Sequence, residues 1–132
     1  MDTANLDFWQ KHSLNFLEMA LSADKRERLA PADAHGQAQG TCGDRVDIFL
    51  NVQDGHICSA SFETNGCLYT VACANTVVHL VEGKTLTEAG RIEPEGVFGL
   101  LATLPREEFH CAEIAVSALR MALASFVPTA ME

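Results

Sequence analysis

Val46, Ile48, Leu50 and Val52 alternate with Asp47, Asn51 and Gln53, and the run passes through Asp54-Gly55 into a second stretch, His56 to Thr64. A period of two is the pattern of a strand with one buried face. Asp-Gly between two such runs is a hairpin signal. Register follows from which residues share a face. A two-residue turn at Asp54-Gly55 sets Val52 opposite Ile57 but carries Cys58, Ala60 and Phe62 away from the face of Val46, Ile48 and Leu50. A three-residue loop, Gln53-Asp54-Gly55 with Gly55 in a left-handed bulge, puts Val46, Ile48, Leu50, Val52, Cys58, Ala60 and Phe62 on one face. The pattern therefore predicts the longer loop, with Cys58 buried as a structural residue.

The remaining segments read as helices and turns. From Leu6 to about Leu29, apolar residues including Phe8, Trp9, Leu14, Phe16, Leu17 and Leu21 recur at helical spacing, which predicts an N-terminal helix within residues 1–30, broken near Ser22-Ala23-Asp24. Lys25-Arg26-Glu27-Arg28 fits a solvated helix end. Residues 31–40 are rich in Gly, Ala and Gln and read as a loop with room for a short edge strand. After Asn65-Gly66-Cys67, the stretch Thr70 to Leu80 puts Cys73, Val77, Leu80 and Val81 on one stripe and Asn75, His79 and Glu82 on the opposite one. Gly83 ends that helix. Thr85-Leu86-Thr87-Glu88 is a capping-box pattern, and Glu93-Pro94 opens a helix that Pro105 stops. The last element, about Glu107 to Phe126, carries Cys111, Ile114, Ala115, Ala118, Leu119 and Ala122 on one face. No repeat or linker divides the chain, so residues 1–132 are expected to form a single α+β domain with its core in 41–126.

A chain of 132 residues is long enough to bury roughly two-thirds of its extended surface without a disulfide staple. The net charge of −9 argues against nucleic-acid and anionic-membrane partners, both of which call for a basic face. No signal-peptide pattern and no run of membrane-spanning length occurs, which sets the expectation of a cytoplasmic protein. Five cysteines, an odd number in a chain of that kind, point to reduced thiols used for metal or sulfur chemistry.

Cys58 and Cys73 fall inside periodic segments and read as core. Cys42, Cys67 and Cys111 lie at element ends, where chemistry is usually placed. Each has a suitable companion: Cys42 the Gly43-Asp44 pair, Cys67 the turn at Asn65-Gly66, and Cys111 the preceding His110 at a helix start. The helix dipole there favours thiolate, opposed by Glu107 and Glu108. His12, His35 and His56 have no such setting and read as surface residues. Three thiols, a carboxylate and an imidazole suit zinc or an iron-sulfur cluster. The same set also allows a Cys-His nucleophile, with His110 activating Cys42 or Cys67 and Asp44 orienting the imidazole. A plain interaction module with incidental thiols is the third class.

Taken in order, Cys42-Gly43-Asp44, the hairpin closing on Gly66-Cys67, the run Val81-Glu82-Gly83-Lys84-Thr85-Leu86-Thr87-Glu88-Ala89, Leu104-Pro105, and His110-Cys111-Ala112 before an alanine-rich helix resemble the IscU/NifU-type iron-sulfur cluster assembly scaffolds over about residues 40–126. The resemblance implies a three-stranded antiparallel sheet packed against about five helices. It further implies a non-enzymatic scaffold for a transient [2Fe-2S] cluster, with sulfur from a cysteine desulfurase and apo iron-sulfur proteins as acceptors. It carries the ligand roles onto Cys42, Cys67 and Cys111, with Asp44 and His110 as candidates for the remaining position, and makes Cys111, Cys67 and Cys42 the candidate persulfide acceptors. Where members read Leu-Pro-Pro-Val-Lys, the motif an Hsp70-type chaperone recognises, this chain reads Leu104-Pro105-Arg106-Glu107-Glu108, so the resemblance does not extend to chaperone-assisted transfer. The chain lacks the insert of the SufU-type relatives, whose zinc-bound persulfide relay is the alternative reading, with Zn2+ as the metal.

Overall fold

A computed structural model describes residues 13–41 and 43–126. Residues 1–12, with His12, and residue Cys42 lie outside the described residues, as do residues 127–132. The order of elements is α1 (Leu14–Leu21), β1 (Ala34–Gln39), β2 (Arg45–Gln53), β3 (His56–Thr64), α2 (Leu68–Val81), α3 (Leu86–Ala89), α4 (Pro94–Leu101), a 3-10 turn (Arg106–Glu108) and α5 (Phe109–Ser125). The strands form one antiparallel sheet in the order β1-β2-β3.

The hairpin corrects the expected register. Asp54 and Gly55 both have positive φ, 55° and 75°, as a two-residue turn of type I′ requires. Val52 pairs with Ile57 and Gln53 with His56. The buried face is nevertheless kept, because the ladder slips between Asn51 and Val52 and places Asn51 opposite Ser59 and Leu50 opposite Ala60. Cys58 is the extra residue of a β-bulge. Its side chain is exposed, and its thiol donates to the Asn51 carbonyl at 3.3 Å. Val46, Ile48, Leu50, Val52, Ala60 and Phe62 are buried as expected; Cys58 is not.

Within the stretch expected as a loop with room for a short edge strand, β1 is that strand and the third of the sheet. Its inward residues Ala34, Gly36 and Ala38 are too small to stand out as a hydrophobic alternation, yet their size is what lets α5 lie close against the sheet. A Cβ on Gly36 would collide with the backbone of Ala118 and Ala122 in α5. The helix runs antiparallel to β1, so this close approach brings the start of α5 beside the β1–β2 turn.

On the other face of the sheet Asp47 is buried, and it accepts from Gln37 Nε2 at 2.9 Å and from Arg45 Nε at 3.0 Å, with His35 Nε2 at 2.7 Å. His35 is exposed, as expected of a surface residue, and it also belongs to this polar cluster and stacks on Phe49, with ring centroids 4.6 Å apart. Burial alone would raise the Asp47 carboxyl, but the hydrogen bonds from Gln37, His35 and Arg45 and the Arg45 charge hold it below its ordinary value. His56 is a surface residue, as expected.

The first helix ends at Ser22, at the expected break, and does not continue to Leu29. Its cap, Ser13, accepts from Phe16 N and donates to the Leu101 carbonyl at 2.8 Å. The charged run after it is not a solvated helix end. Lys25 pairs with Glu82, the Lys25 carbonyl accepts from Phe62 N at 2.9 Å, and Arg28 lies 5.0 Å over the Phe49 ring. The run thereby covers part of the outer edge of β3.

In α2 Cys73 is buried and His79 exposed, as expected. Asn75, placed on the solvent face by periodicity, is instead fully buried and donates to the carbonyls of Met19 and Ser22 at 3.0 and 3.3 Å. It ties α2 to the end of α1. The capping box of α3 is present in both directions. Among the described residues no helix is long and apolar enough to cross a membrane.

Candidate metal centre

Three connections meet at one end of the sheet: the β1–β2 turn, the link from β3 to α2, and the 3-10 turn leading into α5. The first is tight. Gly43 N donates to the Gly40 carbonyl at 3.0 Å and Gly40 N to the Asp44 carbonyl at 2.8 Å, with Gly43 at φ 93°. That angle favours glycine.

The second connection is fastened to the first by Asn65. Its Oδ1 accepts from Arg45 N at 2.7 Å and its Nδ2 donates to the Gly43 carbonyl at 3.4 Å. Thr64 adds to the link by donating to the Arg45 carbonyl at 2.6 Å and accepting from Gly66 N at 3.0 Å. Cys67 follows as the N-cap of α2, and its side chain makes no capping bond to the helix backbone. Its thiol is exposed, while Thr70, one turn on, is fully buried. Gly66 is small because Thr70 is there: a Cβ would stand 2.6 Å from Thr70 Oγ1.

Thr70 joins the side chains into one group. It donates to Asp44 Oδ2 at 3.3 Å, lies 3.4 Å from Cys111 Sγ and faces Cys67 Sγ at 3.8 Å. A hydroxyl has one proton and two lone pairs, so it can donate to the carboxylate and still accept from a thiol. Sequence reasoning missed Thr70 because a threonine in a helix's first turn carries no signal of its own. Only its three-residue spacing from Cys67, which puts the two on one helical face, points to it.

The third connection supplies His110 and Cys111. Asp44, His110 and Cys111 each offer a ligand atom within 4.8 Å of the others, a set of oxygen, nitrogen and sulfur suited to zinc or iron. Cys111 is fully buried, and His110 is exposed, with Nδ1 3.1 Å from the Glu107 carbonyl and Nε2 3.7 Å from Cys111 Sγ. Glu108 also reaches in, accepting from Cys111 Sγ at 3.6 Å. The thiolate-favouring effect expected from the α5 dipole is overridden. Burial pushes the Cys111 thiol up to about 12, the Thr70 hydrogen bond lowers it, and Cys67 and Glu108 raise it again.

The side chains of Asp44, His110 and Cys111 therefore converge, and Cys67 joins them through Thr70. Cys42 lies outside the described residues. An open groove of about 310 Å³ adjoins the centre, lined by Gln39, Thr41, His110, Glu113 and Ile114 among others.

Comparison with known proteins bears on the family and the fold. The family described as "NifU-like N terminal domain" matches residues 24–131. The "iron-sulfur cluster assembly scaffold protein IscU 1" of Archaeoglobus fulgidus is 34% identical over 100 residues, 75% of this chain and 65% of that protein. The scaffold protein IscU of Haemophilus influenzae is 35% identical over 86 residues, 64% of this chain and 68% of that protein. The nitrogen fixation protein NifU of Azotobacter chroococcum is 32% identical over 88 residues, which make up only 28% of its length. Among solved structures, a SufU protein of Fervidobacterium islandicum superposes with a TM-score of 0.70 at 16% identity, over 86% of this chain and 97% of that one. A NifU-like N-terminal protein of Brucella abortus gives 0.68 at 20% identity, over 86% and 92%. These two likenesses establish the three-stranded sheet and its helices as a shared fold.

Proposed function

The chain belongs to the NifU-like N-terminal domain family, and from that premise we propose that it is a scaffold on which a transient [2Fe-2S] cluster is built and from which it is passed to apo-proteins. The observation that carries the reading is the convergence of Asp44, His110 and Cys111 within 4.8 Å of one another, beside Cys67. Cys42, Cys67 and Cys111 hold iron as thiolates, and Asp44 or His110 takes the remaining position. The cluster is cargo. An oxygen or nitrogen ligand grips it less firmly than a fourth thiolate, which suits a site meant to release what it carries. Sulfur comes from a cysteine desulfurase. Of the acceptor candidates Cys111, Cys67 and Cys42, the exposure of Cys67 and the closed, protonated state of Cys111 favour Cys67 as the first to receive it.

Anaerobic reconstitution with iron, sulfide and reductant tests this. Sulfur-to-iron charge-transfer bands with two irons per chain support the scaffold, and their absence in a folded protein overturns it. The Asp44→Ala protein is expected to release its cluster more slowly to an apo-ferredoxin. The second reading, a zinc-bound persulfide relay, is favoured by the mixed O, N and S donors, which zinc accepts as readily as iron. One tightly held zinc and no such bands is its signature.

A further inference from the structure

The His110–Cys111 pair is approached by carboxylates from two sides. Asp44 comes from the β1–β2 turn, and Glu108 from the 3-10 turn that leads into α5. Glu108 Oε2 is 3.6 Å from Cys111 Sγ, Cys111 Sγ is 3.7 Å from His110 Nε2, and His110 Nε2 is 4.0 Å from Glu108 Oε2. Metal bonds of the usual lengths to O, N and S, set at tetrahedral angles, separate the ligand atoms by roughly 3.3–3.7 Å. Two edges of the triangle already lie in that range. The third closes with a small rotation of Glu108, whose side chain is 28% exposed.

We propose that Glu108, His110 and Cys111 form a second seat for a single divalent cation, sharing its His110–Cys111 edge with the seat that Asp44 completes. The cation is of the borderline class that accepts carboxylate, imidazole and thiolate together: iron(II), zinc or cobalt(II). The two seats differ in where their parts come from. Asp44 belongs to a different connection from His110 and Cys111, so its seat depends on how the connections are docked. The Glu108 seat is drawn from residues 108–111 alone and keeps its shape if the β1–β2 turn moves. It is also reachable, since the His110 side chain is 45% exposed and Glu107 and Glu113 on the same rim add negative charge that draws cations in. A cation arriving from solvent binds there first. It then reaches the Asp44 seat by exchanging one carboxylate for the other while His110 and Cys111 hold on. This deepens the scaffold reading and rests on it only for the identity of the cargo.

The test is an anaerobic titration of the metal-free full chain with cobalt(II), read by the sulfur-to-cobalt charge-transfer band and the visible ligand-field bands. Four proteins are compared: wild type, Asp44→Asn, Glu108→Gln and the double variant, with far-UV circular dichroism confirming the fold of each. Because either seat can hold the ion alone, each single variant is expected to keep one cobalt with its charge-transfer band, at least one of them within about 2-fold of the wild-type affinity, and the double variant to weaken by about 100-fold or more. The seat is refuted if Asp44→Asn alone weakens binding as much as the double variant, or if Glu108→Gln changes nothing in either background. Cluster reconstitution of the wild type is scored separately, so failure of the scaffold reading removes the cargo and leaves the cobalt result standing.

Discussion

The Thr70 hydroxyl lies 3.4 Å from the Cys111 sulfur, and the same oxygen serves Asp44 and Cys67. A single buried side chain thus holds together groups from three separate connections before any metal is present. Thr70→Val keeps the shape and removes the hydroxyl, leaving a carboxylate and two thiols short of a partner. It is expected to cost about 1–3 kcal/mol in urea unfolding and to lower cluster yield on reconstitution. Thr70→Ser retains the hydroxyl, loses about 1 kcal/mol for the missing methyl, and should keep the wild-type yield. Equal yields for Val and Ser would show that the hydroxyl is not what matters.

Gly36→Ala should be among the most damaging small substitutions. The added methyl meets helix backbone at Ala118 and Ala122, which cannot rotate away as a side chain could. An overpacking cost of about 2–3 kcal/mol is expected, read as a lowered urea midpoint with an unchanged slope. A neutral result would mean that α5 can lift from β1 without penalty.

Acid should weaken the fold through Asp47. Its carboxyl is held below the ordinary 3.8, so the folded state binds the proton less readily than the unfolded chain. The stability this contributes is fully present above pH of about 4 and is lost as pH falls from there through the folded value. Asp47→Asn should flatten the stability profile below about pH 4. A wild-type profile as flat as the variant's would remove Asp47 from the account.

Thiol labelling should divide the cysteines by burial. In metal-free protein at pH 8, iodoacetamide is expected to modify the exposed Cys58 and Cys67 well before Cys73 and Cys111. Burial raises both of the latter thiols, Cys111 to about 12, which leaves almost no thiolate to react. Cys58→Ser should change stability by no more than about 0.5 kcal/mol, and both Cys58→Ser and Cys73→Ser should still assemble a cluster. Fast modification of Cys111 would contradict its closed setting.

The parts of the fold that rest on local chemistry were legible in the residues themselves. The capping box at Thr85, the opening of α4 at Glu93-Pro94 and the stripe of α5 follow from neighbours in sequence, although α4 ends at Leu101, short of the expected stop at Pro105. What escaped depends on partners far along the chain. The Cys58 bulge was missed because loop length and a bulge both restore the buried face, and the alternation cannot separate them. Strand β1 shows in the sequence only as room for a short edge strand within a loop, because its inward residues are small, a choice imposed by a helix that begins 70 residues later. Asn75 reads as a surface residue until the carbonyls of Met19 and Ser22 are placed beside it. At the centre, Asp44, His110 and Cys111 could be picked out as chemistry at element ends, whereas Thr70 and Glu108 acquire meaning only from distances.

Asn65 has both polar atoms of its side chain committed to the neighbouring connection, the oxygen to Arg45 and the nitrogen to Gly43. Two ligand-bearing segments that would otherwise wander independently are therefore ordered during folding. Their conformational entropy is spent before a metal arrives. Capture then does not have to supply it, and release does not return it, so the metal is held more tightly than loose loops would hold it and its departure depends on the ligand set, not on loops coming undone.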